Sequence, residues 1–274
     1  MTQYSVYKID KLVQNYSQVK LQSDDVNNFF TNFKFSTIIN QNNAKNNSSF
    51  VFKNLIKEDT IKSKIITLLN KLHHQNLTKV ISGIREIVFQ TEEELNELVN
   101  QCIQKIKRDN DQIRPLVAAL CWELQSTYFV TSDNEKIYFR KLLLSEIKKD
   151  YMLSINYDNE DWSKDKSDKI MILIGTMFNS KIIEFKIMNS IINDFKKIIE
   201  YKENGTQEQY EKVEKAIQQI SCLISCITLN EESKKLYGNL DEFLEKEIAI
   251  YEEKKCISKK IRLVCKNTIS ELRK

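Results

Sequence analysis

The chain has 274 residues, 41% of them hydrophobic, which is enough for a sizeable core. Four glycines and one proline are too few to supply the turns of a β-rich fold. The formal charge of +4 is modest, and no run of about 18 apolar residues exists, so no membrane span is expected.

Residues 1–56 differ in character from the rest. Tyr4, Lys8 and Asp10 make the start too polar for a signal peptide. The six cysteines lie in apolar or helical stretches without CxxC spacing, so reduced thiols in a cytoplasmic protein are expected. Ile9, Leu12, Val13 and Tyr16 stand at i, i+3, i+4 and i+7 and share a face if this stretch is helical. Tyr7 opens that stretch with an aromatic ring and a hydroxyl. A short helix of this kind suits a partner's groove. The competing reading is a helix that packs back on the rest of the chain. Eight asparagines between Asn27 and Asn47 predict a flexible tether over about 22–50, since Asn competes with helical hydrogen bonding. Phe29, Phe30, Phe33 and Phe35 are more aromatic than an inert linker needs.

From about residue 58 the periodicity is helical almost to the end. Ile61, Ile65, Leu68, Leu69 and Leu72 follow helix spacing, and so do Leu77, Val80, Ile81, Ile84 and Val88. Thr91 before Glu92, Glu93 and Glu94 reads as an N-cap with an acidic first turn, predicting a helix over 92–108. Pro115 suits the start of the next. Further helices are predicted over 135–152, 166–180, 182–201, 207–228, 238–252 and 256–273. Breaks fall at Ser132–Asn134, Asn156–Asp165, Asn204–Gly205 and Asn230. About ten helices in antiparallel pairs of 35–45 residues predict an all-α fold, a HEAT-repeat-like α-solenoid of about five pairs over 57–274. A generic helical bundle is the alternative.

Enzyme chemistry finds little support. His73 and His74 are adjacent, not at the i,i+4 spacing of a helical ligand pair, and read as a surface loop. Gly83, Gly175, Gly205 and Gly238 are isolated, so no glycine-rich phosphate loop is possible. Cys222 and Cys226 share a helix face beside Leu223 and Ile227, and core packing is the better reading than metal binding. Neither a metal nor a cofactor is expected. The last segment is different: Lys254, Lys255, Lys259, Lys260, Arg262, Lys266, Arg273 and Lys274 face Glu271 alone, a charge of about +7. Such an end can bind phosphate, or can simply be a solvated face.

Five strings occur in an order that resembles the middle domain of eukaryotic translation initiation factor 4 gamma. They are Leu69-Asn70-Lys71-Leu72 with Leu77, Phe139 to Leu144, Ile174 to Lys181, Ala216 to Thr228, and Ser258 to Leu263. Two positions depart from the family: Leu77 and Leu263 stand where aromatics are usual. His73-His74 also replaces a Thr-Pro turn. The resemblance implies a scaffold without catalytic residues. It implies that Leu69, Asn70, Lys71, Leu72 and Leu77 dock one lobe of a DEAD-box helicase of the initiation factor 4 A type. Tyr151 falls where the family has an aromatic associated with helicase binding, and Leu263 would approach the other lobe or RNA. Lys254, Lys255, Lys259, Lys260, Arg262 and Lys266 would contact mRNA.

The arm also matches the family. Tyr7-Lys8-Ile9-Asp10-Lys11-Leu12-Val13 fits the Tyr-x4-Leu-Φ pattern by which it grips the cap-binding initiation factor 4 E type protein. The same pattern recurs at Tyr138–Leu144, inside what is expected to be a buried helix. The implied protein is a reduced scaffold of protist or giant-virus type, joining cap-binding protein and helicase. Another middle-domain adaptor, in mRNA decay, nuclear cap binding or translational repression, would keep the solenoid without a working arm.

Overall fold

The structure, a computed structural model, describes residues 60–203 and 205–274. The arm expected over 1–56, with Tyr7, Ile9, Leu12, Val13 and Tyr16, lies outside the described residues. Helix α1 (Ile61–Asn70) begins where the Thr60 hydroxyl accepts from Ser63 N–H. A 3₁₀ turn (His74–Asn76) leads into α2 (Leu77–Arg85). Thr91 caps α3 (Glu92–Arg108), whose first turn is acidic and last turn basic, both matched to the helix dipole. Helix α4 (Arg114–Leu124) carries Pro115 at its start, where a missing N–H costs nothing. Strands β1 (Tyr128–Val130) and β2 (Lys136–Tyr138) form an antiparallel hairpin. The remaining helices are α5 (Phe139–Ser154), α6 (Lys164–Asn179), α7 (Phe185–Ile199), α8 (Gln207–Cys226), α9 (Glu231–Tyr237), α10 (Leu240–Lys254) and α11 (Lys259–Leu272).

Five antiparallel pairs result: α1/α2, α3/α4, α5/α6, α7/α8 and α10/α11, with α9 inserted before the last. The pairs stack like on like. In the first layer, Lys62 reaches Glu97 at 3.0 Å, linking α1 to α3, and Lys107 reaches Asp150 at 2.6 Å, linking α3 to α5. The Tyr151 hydroxyl then donates to Asp194 at 3.2 Å, and the Tyr251 hydroxyl donates to the Ile199 carbonyl at 2.9 Å. In the second layer α2 packs on α4, α4 on α6, α6 on α8 and α8 on α11. The chain is therefore an all-α, HEAT-like solenoid. Its core is one continuous cluster between the layers, running from Ile65 and Ile84 through Leu120, Leu143, Ile174 and Phe195 to Leu223 and Ile261.

Two elements correct the sequence reading. The helix expected from 135 starts at Phe139, because Lys136–Tyr138 pair with Tyr128–Val130. Ser132–Asn134 is the hairpin loop, and Asn134 adopts φ 63°, a conformation Asn tolerates. Tyr138 is thus an exposed strand residue rather than part of a buried helix. Secondly, the break at Asn230 hides α9, which Asn230 caps and Gly238 ends at φ 51°.

Gly175 is where two helices come closest. A Cβ there would lie 2.8 Å from the Cys226 Cβ, so the missing side chain lets α6 and α8 touch. Cys222 and Cys226 are half-buried thiols at that contact, as core packing predicts, while Cys102, Cys121 and Cys265 are fully buried. Burial pushes the Cys265 thiol up to about 12, so it stays protonated and inert. Between α6 and α8 a polar knot ties down the loop after α5. Gln219 accepts from the Tyr157 hydroxyl and donates to the Ser154 carbonyl and the Ser167 hydroxyl. The Trp162 indole donates to the same Ser154 carbonyl at 2.7 Å.

Candidate functional site

Because the pairs stack in one direction, the turns inside each pair line a single rim. Those turns follow Asn70, Arg108, Ser154, Ile199 and Lys254. Adjacent turns are bridged by Lys107–Asp150, by Lys212–Asp158 at 2.6 Å and by Ser258 N–H donating to Glu214 at 2.6 Å. Leu69 to Leu77, Tyr151 and Lys254 to Lys260 fall on or beside this rim, but not all of them face outward.

At the first turn, Leu69 and Leu72 are 2% and 4% exposed and belong to the core. They offer a partner no surface; they position what does. Asn70, Lys71, His73 and His74 are exposed, and Leu77 is half-buried against the core. The turn needs no proline. The Asn76 side chain donates to the Lys71 carbonyl and accepts from His73 N–H, closing the loop from within.

At the third turn Tyr151 is 6% exposed, edge-on to Phe195. Burial first, and the neighbouring Asp194 carboxylate second, push its phenol far above the ordinary range, so it is a neutral donor in the core. A direct partner contact by Tyr151 is therefore closed off. The exposed apolar groups are its neighbours Met152 and Leu153, 54% and 50% exposed. The sequence held a signal for them: three successive large apolar residues cannot all enter the core from one helix. Beside Leu153 lies a cavity of about 490 Å³, lined by the end of α3, the end of α5 and the start of α6. Trp162, in its wall, is covered on one face by Lys215 at 4.6 Å from the ring centroid.

At the fifth turn Lys254, Lys255, Lys259 and Lys260 are exposed, and none has a carboxylate partner among the described residues. Lys266 does have one, Glu252 at 3.1 Å. Lys259 and Lys260 open α11 with no acidic residue in its first turn, against the sense of the helix dipole. A bound anion would relieve that. Arg262 is partly buried, and its Nε has no acceptor. Leu263 is 61% exposed on the same helix.

The opposite edge carries features not foreseen from sequence. Val88, Tyr128, Val130 and Tyr138 are exposed there, and a cavity of about 690 Å³ separates β1 from residues 85–90. Among the described residues no cluster of His, Cys, Asp and Glu could hold a metal, and no helix is long and apolar enough to cross a membrane.

The chain is similar to a solved structure, the MIF4G domain of Trypanosoma cruzi translation initiation factor EIF4G5. The TM-score is 0.45 at 10% sequence identity, over 78% of this chain and 95% of that one. No protein-family model matches the sequence. No curated protein matches it either.

Proposed function

We propose that the protein is a translation-initiation scaffold that acts through surfaces and supplies no catalytic group. In this reading the arm holds a cap-binding initiation factor 4 E type protein through Tyr7, Leu12 and Val13. The solenoid holds a DEAD-box helicase of the initiation factor 4 A type, and the basic end contacts mRNA in the cytoplasm. One observation carries the helicase part. Two strings that resemble the initiation factor 4 gamma middle domain, far apart in sequence, expose Asn70, Lys71 and Leu263 at the two ends of one solenoid.

The mechanism is positional. A helicase lobe held at the first turn and another held near α11 would be kept close to the closed arrangement, which speeds ATP turnover without any added group. The unpartnered lysines at 254–260 give the RNA a salt-sensitive contact beside that lobe. An arm tethered to the solenoid makes capture of the second partner effectively intramolecular.

The test is the ATPase rate of a recombinant helicase with and without the full chain. Stimulation is expected from the wild type and its loss from a Lys71→Glu, Leu263→Asp double variant. Both residues are exposed, so the fold should survive. A wild type that neither binds nor stimulates the helicase sinks the reading.

A further inference from the structure

The cavity beside Leu153 has a composition that neither the helicase reading nor the basic end accounts for. Its wall holds four cations, Lys107, Arg108, Lys166 and Lys169. Lys107 is tied to Asp150, and Lys169 to Asp165 at 2.7 Å. The other two bind only backbone: Arg108 Nε donates to its own helix at the Gln104 carbonyl, and Lys166 Nζ donates to the Asp161 carbonyl. The two terminal nitrogens of the Arg108 guanidinium therefore have no partner among the described residues. They could grip one carboxylate bidentately. The one unpaired anion in the wall is the Asp161 carboxylate, so the free charge is positive on balance. Arg108 and Lys166 line the cavity from two different helices, Arg108 at the end of α3 and Lys166 in the first turn of α6.

The apolar half is equally specific. Leu153 is half-exposed at the mouth, next to Met152, with Ile170 in the wall. Trp162 is already engaged on one face and along its polar edge. Its indole N–H is taken by Ser154, Lys215 lies over its ring, and Tyr157 packs edge-on at 5.8 Å. One ring face and the polar edge of Trp162 are thus already taken, and an aliphatic or aromatic side chain can lie against Leu153.

We propose that this cavity binds a short acidic segment of a partner protein, one carboxylate on Arg108 and Lys166 and a neighbouring apolar side chain against Leu153. Charge complementarity selects the acid, and the exposed leucine beside it selects its neighbour. The proposal does not depend on the helicase reading.

The experiment pans a displayed library of short random peptides on the full chain, then measures the enriched peptides by fluorescence anisotropy. Enrichment of Asp or Glu next to Leu, Met or Phe is expected. Arg108→Glu and Leu153→Ser, both at exposed positions, should each weaken those peptides by about tenfold or more. Replacing the peptide's acid by Lys should restore binding to the Arg108→Glu variant. Enrichment without acids, or binding by both variants as tight as by the wild type, overturns the proposal. So does a result in which Arg108→Glu loses affinity for oligouridylate while the peptides bind unchanged, which makes the cavity a nucleic-acid site.

Discussion

Gly175→Ala sets two physical effects against each other. Alanine is the better helix former by about 1 kcal/mol, so propensity alone predicts a more stable protein. The packing argues the reverse. The new Cβ would sit 2.8 Å from the Cys226 Cβ, with the Cys226 carbonyl carbon and oxygen at 3.5 and 3.6 Å. Carbon atoms rest at about 3.5–4.0 Å, so α6 and α8 must part by most of an ångström. The obstructing atom is fixed to backbone and cannot rotate away. Overpacking of this kind costs about 1–3 kcal/mol, which outweighs the propensity gain, for a net loss of about 1 kcal/mol or more. Urea unfolding followed by circular dichroism measures it. A double-mutant cycle with Cys226→Gly isolates the contact, because the penalty of Gly175→Ala should largely vanish once the opposing Cβ is gone. A Gly175→Ala protein more stable than wild type, or a cycle with no coupling, would refute the close-approach explanation.

Other expectations follow from the same contacts. Gln219→Leu leaves the buried Tyr157 hydroxyl without its acceptor and should destabilise by about 1–3 kcal/mol in the same assay. Tyr151→Phe removes the bond to Asp194 at a cost of about 1 kcal/mol, and helicase affinity should not change, since the ring is buried; a large loss of affinity in a pull-down would mean the residue is reached by the partner. Arg273 lies 3.0 Å from Asp241 and 2.6 Å from Glu245 and holds the Asp241 carboxyl below its ordinary range, chiefly by hydrogen bonding. A depressed carboxylate stabilises the fold above its unfolded pKa and loses that contribution as pH falls through the folded one. The melting temperature of Arg273→Met should therefore trail wild type at pH 7 and converge with it as pH falls below the ordinary aspartate range. For the arm, a Tyr7→Ala, Leu12→Ala double variant should lose nearly all affinity for a cognate cap-binding protein in isothermal titration, and unchanged affinity would remove the arm from the proposed scaffold.

Much of the helical region was legible in the sequence because its signals are local. Thr91 with its three glutamates and Pro115 fix helix starts through a capping hydrogen bond and a missing donor, and the structure places helices there. Apolar spacing fixed which face of each helix is buried. Tertiary structure alone decided the rest. The hairpin at 128–138 is too short for periodicity to reveal and exists because Phe129 pairs with Ile137 on the edge of a helical array. Leu69, Leu72 and Tyr151 look alike in sequence to exposed docking residues, and only packing turns them inward while leaving Leu153 and Leu263 outside. That Arg108 and Lys166, 58 positions apart, line one cavity depends on how α3 lies against α6, which no local pattern encodes.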